Sequence, residues 1–150
     1  HGQGSDKYNN IRIGINGRLD TMQAAVLLAK MEIFDEEIGL RNKVASRYSE
    51  KLKDTVVTPF VHPDCISVWA QYSILAEHRD EMLKKLKSRG VPTAVYYPKP
   101  LHLQDAFRNL GYKRGDFPIS ERIADSIFSI PMHPYLSTED QDYIVKAIVE

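Results

Sequence analysis

Apolar residues along the 150-residue chain fall into long helical stretches interrupted by short extended ones. Met22, Val26, Ala29, Ile33 and Phe34 recur at helical spacing, and Leu40, Val44, Tyr48 and Leu52 continue in steps of four. The pattern predicts one long helix starting behind Asp20 and kinked at Gly39; two antiparallel helices broken near Gly39 satisfy it as well. Asp20 is placed as an N-cap, with Gln23 three residues on, as in a capping box. Residues 56–61 read as a short edge strand, because Pro59 cannot donate to a ladder. Ile66, Val68, Ala70, Tyr72 and Ile74 alternate with polar residues and Trp69, the period of a strand whose Trp69 side meets a helix layer or a neighbouring subunit.

An amphipathic helix follows over residues 77–89, with Met82, Leu83 and Leu86 inward and Gly90 as its left-handed stop. Its Lys84, Lys85, Lys87 and Arg89 read as a solvated face suited to a helix C-terminus. Residues 92–97 predict a second strand, completing a strand–helix–strand α+β unit. Residues 98–115 are irregular, pinned by Leu101, Leu103, Phe107 and Leu110. Pro118 opens a short helix to Ser126, residues 128–130 form a short strand, and Ser137 or Thr138 caps a last helix. In that helix Tyr143, Ile144, Val145 and Ile148 are placed to pack.

Charge narrows the functional classes. Twenty acidic side chains balance twenty basic ones, so neither nucleic acid nor an anionic membrane surface is favoured. No apolar run reaches the length of a bilayer span, and the first residues lack the basic-then-apolar order of a signal peptide. Cys65 is the single cysteine, which rules out an intrachain disulfide and fits a reducing, cytoplasmic compartment; it reads as a small half-buried hydrophobe. The histidines are dispersed with no metal-binding helical pair, and no serine sits in a Gly-x-Ser-x-Gly elbow. Gly2-Gln3-Gly4-Ser5 is a weak fragment of a phosphate loop.

The segment Ile13-Gly14-Ile15-Asn16-Gly17-Arg18-Leu19-Asp20 carries an amide and a guanidinium into a helix start, which core packing does not require. With His1-Gly2, Tyr8 and Gln23-Ala24-Ala25 it resembles the DegT/DnrJ/EryC1/StrS family of sugar aminotransferases that use pyridoxal phosphate. Val95-Tyr96-Tyr97-Pro98, Pro100-Leu101-His102 and Ser129-Ile130-Pro131-Met132-His133-Pro134 extend the resemblance in the same order over nearly the whole chain.

The resemblance implies an α/β class protein, an α+β small domain from the C-terminal portion of a fold-type I, aspartate aminotransferase-like enzyme. Residues 1–53 would be the loop and long linking helix and residues 54–150 the small domain. The large cofactor-binding domain and its Schiff-base lysine would lie upstream, so the fragment alone is expected to be inactive. Two active sites would be shared across a homodimer. Asn16 would donate to the cofactor phosphate, and Arg18 would either meet a sugar carboxylate or form an interfacial salt bridge. Tyr96 and Tyr97 match the place where many relatives have His-Tyr near the sugar, or are two packed strand aromatics. Tyr96 departs from that histidine and cannot titrate near neutrality. His102 is a second sugar-side candidate, or a surface-loop residue.

The implied reaction moves an amino group from glutamate to a keto-sugar nucleotide, a UDP-3-oxo-N-acetylglucosaminuronate, for lipopolysaccharide or O-antigen assembly. A 4-keto-6-deoxy sugar, a related dehydratase and a non-catalytic oligomerisation module are the alternatives.

Overall fold

The computed structural model describes residues 2–15, 17 and 19–150. Helix α1 spans Thr21–Met31 and α2 spans Phe34–Leu52. Asp20 caps α1 as expected, its Oδ1 accepting from the Gln23 backbone N–H at 2.8 Å. The break between the helices falls at residues 32–33, not at Gly39, which sits inside α2 with no atom within 4 Å of where its Cβ would be. An exposed helical glycine costs entropy without forcing a kink, so the glycine weakens the helix and does not bend it.

The sheet has two antiparallel strands, β1 (Tyr72–Leu75) and β2 (Ile127–Ile130), with Ile74 opposite Phe128. The two longer strands that the pattern predicts at residues 56–61 and 92–97 each contribute a single bridge. Val57 exchanges both backbone bonds with Leu75, and Ala94 does the same with Ser129. Pro59 and Pro92 lie two residues from those bridges, and neither can extend a ladder.

Residues 66–71 are not strand either. Trp69 has φ +47, and side chains of α2 hold the segment there. Arg41 Nη1 donates to the Trp69 carbonyl, Trp69 Nε1 donates to Asn42 Oδ1, and Asn42 Nδ2 donates to the Ser67 carbonyl. Ile66 and Val68 are consequently exposed, although they share the alternation of buried Tyr72 and Ile74. Cys65, in the same segment, is exposed and not half-buried.

Helix α3 (Arg79–Ser88), α4 (Pro118–Ser126) and α5 (Thr138–Val149) complete the helices. Gly90 has φ +73 behind α3, and Ser137 caps α5 by accepting from the Asp140 N–H. One face of the sheet packs Tyr72, Ile74, Phe128 and Ile130 against Val44, Tyr48 and Leu52 of α2, Leu86 of α3 and Ile144 and Ile148 of α5. Each such burial stabilises by about 1.5–3 kcal/mol. The buried hydroxyls are satisfied: Tyr48 donates to the Pro131 carbonyl, and Tyr72 shares a 2.7 Å bond with Ser49. Tyr143 is exposed, its hydroxyl donating to the Arg89 carbonyl, and takes no part in that core.

Residues 98–115 form two 3-10 turns, Leu101–Leu103 and Asp105–Leu110. Leu101 and Leu110 are exposed and pin nothing; the buried residue there is Gln104.

Candidate functional site

A pocket of about 860 Å³ opens between the N-terminal loop, the segment after Ala94 and α4. Tyr96, Tyr97 and His102 line it together, as do Lys7, Tyr8 and Phe117. Ile127 reaches it from β2, on the side of the sheet away from Phe128 and Ile130. Tyr97 is 67% exposed, so the alternative of two packed strand aromatics does not hold. It stands edge-on to Tyr96 at 5.9 Å and to Tyr8 at 6.3 Å between ring centroids, a favourable aromatic arrangement.

His102 is not a surface-loop residue. Its side chain is 8% exposed, lies 4.7 Å from Phe117 between ring centroids at a 50° tilt, and places Nε2 3.0 Å from Glu121 Oε1. Burial alone would raise the Glu121 carboxyl, but bonds from the Gly115 N–H, His102 and the Phe117 N–H hold it below the usual range. An ionised carboxylate only accepts, so His102 donates through Nε2 and a neutral imidazole leaves Nδ1 as an acceptor. Glu121 was not singled out from the sequence. Its signal was present: it lies three residues before buried Ala124, so a carboxylate occupies the inner face of an amphipathic helix.

Gln104 gave no such signal, because an irregular stretch has no period to violate. Its Nε2 donates to the Tyr8 carbonyl and its Oε1 accepts from the Asn10 N–H, both at 2.9 Å. Asn16 and Arg18 lie outside the described residues.

A covalently held aldehyde cofactor needs an amine in the pocket that can condense with it. The amine that condenses with an aldehyde must be unprotonated. Lys7 is held above the ordinary lysine range, first by side-chain hydrogen bonding with Tyr8 and then by charge interaction with it. Lys99 directs Nζ to Asn9 Oδ1 at 3.0 Å. Lys7 and Lys99, the described lysines that line the pocket, are thus both engaged by neighbouring side chains.

The helices packed on a two-stranded sheet match the C-terminal portion of fold-type I sugar aminotransferases. The profile of the DegT/DnrJ/EryC1/StrS aminotransferase family matches residues 1–149, and the chain belongs to that family. Over 149 residues it is 46% identical to the UDP-2-acetamido-2-deoxy-3-oxo-D-glucuronate aminotransferase of Pseudomonas aeruginosa, covering 99% of this chain and 40% of that protein. A crystal structure of a DegT DnrJ EryC1 StrS aminotransferase from Brucella abortus is 49% identical with a TM-score of 0.80, covering 99% of this chain and 40% of that one. DesV of S. venezuelae, solved in complex with a ketimine intermediate, is 32% identical with a TM-score of 0.82, covering 97% and 40%. The chain thus spans about 40% of the length of the curated relatives it matches, and corresponds to their C-terminal part. The family and its structural neighbours are pyridoxal or pyridoxamine phosphate aminotransferases.

Proposed function

We propose that the chain forms the substrate-facing part of an aminotransferase that moves an amino group from glutamate to a UDP-3-oxo-N-acetylglucosaminuronate in polysaccharide assembly. The observation that carries this reading is the convergence of Tyr96, Tyr97 and His102 on one pocket. The name of the 46% identical relative supports the choice of sugar. Pyridoxal phosphate, when bound, supplies the electron sink for amino transfer.

This chain's own residues bind and orient. The Tyr96 and Tyr97 hydroxyls offer hydrogen bonds to sugar hydroxyls, while their ring faces and Phe117 exclude water. His102, fixed by Glu121, presents Nδ1 as an acceptor to a sugar donor. Asn16 would donate to the cofactor phosphate and Arg18 would pair bidentately with the uronate carboxylate. In the same reading residues 1–53 link a large domain to a small domain at 54–150, and two copies form a cytoplasmic homodimer. Helix α1 supports that assembly, since none of its residues is buried. Among the described residues, no helix is long and apolar enough to cross a membrane.

The test is the ratio of kcat/KM for the 3-oxo uronate nucleotide to that for an uncharged deoxy-keto sugar nucleotide. Arg18→Ala in the full-length protein is expected to lower uronate turnover by about a hundredfold, corresponding to roughly 2–5 kcal/mol for a buried charge left unpaired. The uncharged sugar should lose far less. An equal loss for both leaves Arg18 as an interfacial residue and withdraws the uronate.

A further inference from the structure

We infer that Gln104 is a positioning residue that docks the N-terminal loop onto the small domain and thereby builds one wall of the pocket. Gln104 is 5% exposed and sits between the two 3-10 turns. Both polar atoms of its side-chain amide have partners. Nε2 donates to the Tyr8 carbonyl at 2.9 Å and the Lys99 carbonyl at 3.3 Å, and Oε1 accepts from the Asn10 N–H at 2.9 Å. Gripping the carbonyl of one residue and the N–H two residues on is what a neighbouring parallel strand does. Here one side chain replaces the strand.

The loop itself is closed by its own bonds, Gly4 N–H to the Asn9 carbonyl and Ile11 N–H to the Gly2 carbonyl. Among the described residues, the hydrogen bonds joining it to the rest of the chain all reach residues 99–106. Beyond the Gln104 pair these include Ala106 N–H to the Asn10 carbonyl at 2.8 Å, Lys99 Nζ to Asn9 Oδ1, and the Asn9 side chain donating to the Asp105 carboxylate. Tyr8 and Lys7, on the same loop, line the pocket, Tyr8 edge-on to Tyr97. Removing the amide orphans a part-buried donor and acceptor at the seam, and the Tyr8 wall is released.

That the released wall would have met a sugar nucleotide rests on the function proposed above, so the experiment has an arm independent of activity. In the full-length protein loaded with pyridoxal phosphate, Gln104→Glu keeps the acceptor but turns a carboxylate oxygen toward the Tyr8 and Lys99 carbonyls. Amide hydrogen exchange at Asn10 and Ala106 should accelerate at least about tenfold, while Leu75 and Ser129 in the sheet stay unchanged. The KM for the keto-sugar nucleotide should rise about tenfold with kcat within about threefold, the pattern of lost ground-state binding. Gln104→Leu should do more on both counts, and Gln104→Glu serves if the leucine variant does not fold.

Unchanged exchange at Asn10 and Ala106 would overturn the docking role. Accelerated exchange with unaltered KM would overturn its connection to the pocket. Absence of turnover in the parent protein would sink the sugar-nucleotide reading alone, with exchange still deciding the role of Gln104.

Discussion

Helices α1 and α2 adjoin across two residues, and the more apolar of them is the exposed one. Helix α1, TMQAAVLLAKM, carries Lys30 as its single charge, yet Met22 is 82% and Leu28 68% exposed and none of its residues is buried. Helix α2 is rich in charge and buries Val44, Ala45, Tyr48 and Leu52. A helix apolar on most sides belongs in an interior, whereas a striped one belongs at a surface. The stripe of α2 is satisfied by this chain's own sheet and α5. Among the described residues nothing buries α1. In the proposed assembly its cover is the large domain and the second copy.

The largest expected effect lies on the α2 side. Tyr48 is fully buried against Tyr72, and its hydroxyl satisfies the Pro131 carbonyl. Tyr48→Ala should cost about 3–5 kcal/mol, since it leaves a cavity and orphans a carbonyl. Urea unfolding midpoints measure this, and a loss under about 1 kcal/mol would mean that the core is not organised on α2.

Helix α1 should respond in a different observable. Val26→Asp and Leu28→Asp should leave the exchange protection of Tyr72 and Phe128 unaltered. In the full-length protein each should weaken assembly by at least about 1 kcal/mol, read as dimer dissociation in sedimentation. A variant that stays dimeric would show that the α1 face is not the interface.

The smallest effect is one of acidity. Hydrogen bonds hold the Glu121 carboxyl below its ordinary 4.5, so between the two values the unfolded chain binds the extra proton. That contribution is complete above the ordinary value and is lost as pH falls through the folded one. Tm should therefore drop as pH falls below the ordinary 4.5, and Glu121→Gln should flatten part of the slope while lowering Tm near neutrality. Asp105 and Asp142, held low first by Asn9 and Lys51 respectively, keep the remainder. An unchanged acid slope in Glu121→Gln would show that the carboxylate does not hold Gly115, Phe117 and His102 together.

What the sequence determined by itself is what neighbours within a turn or two determine. Asp20 and Ser137 as caps, Gly90 as a stop, Pro118 as a helix opener and the Val44–Tyr48–Leu52 stripe are local, and each stands where the pattern put it. The family was legible too, because its motifs survive as short strings. Tertiary structure alone decided where extended segments end. Residues 66–71 have a strand's alternation, but bonds from Arg41 and Asn42 hold Trp69 in a conformation no strand adopts. It also decided the walls of the pocket. Gln104 meets Tyr8 and Asn10 across 96 and 94 residues, and Glu121 meets His102 across 19. Such pairings leave no period in the chain, since a side-chain amide or carboxylate finds its partners only after the backbone has folded around it.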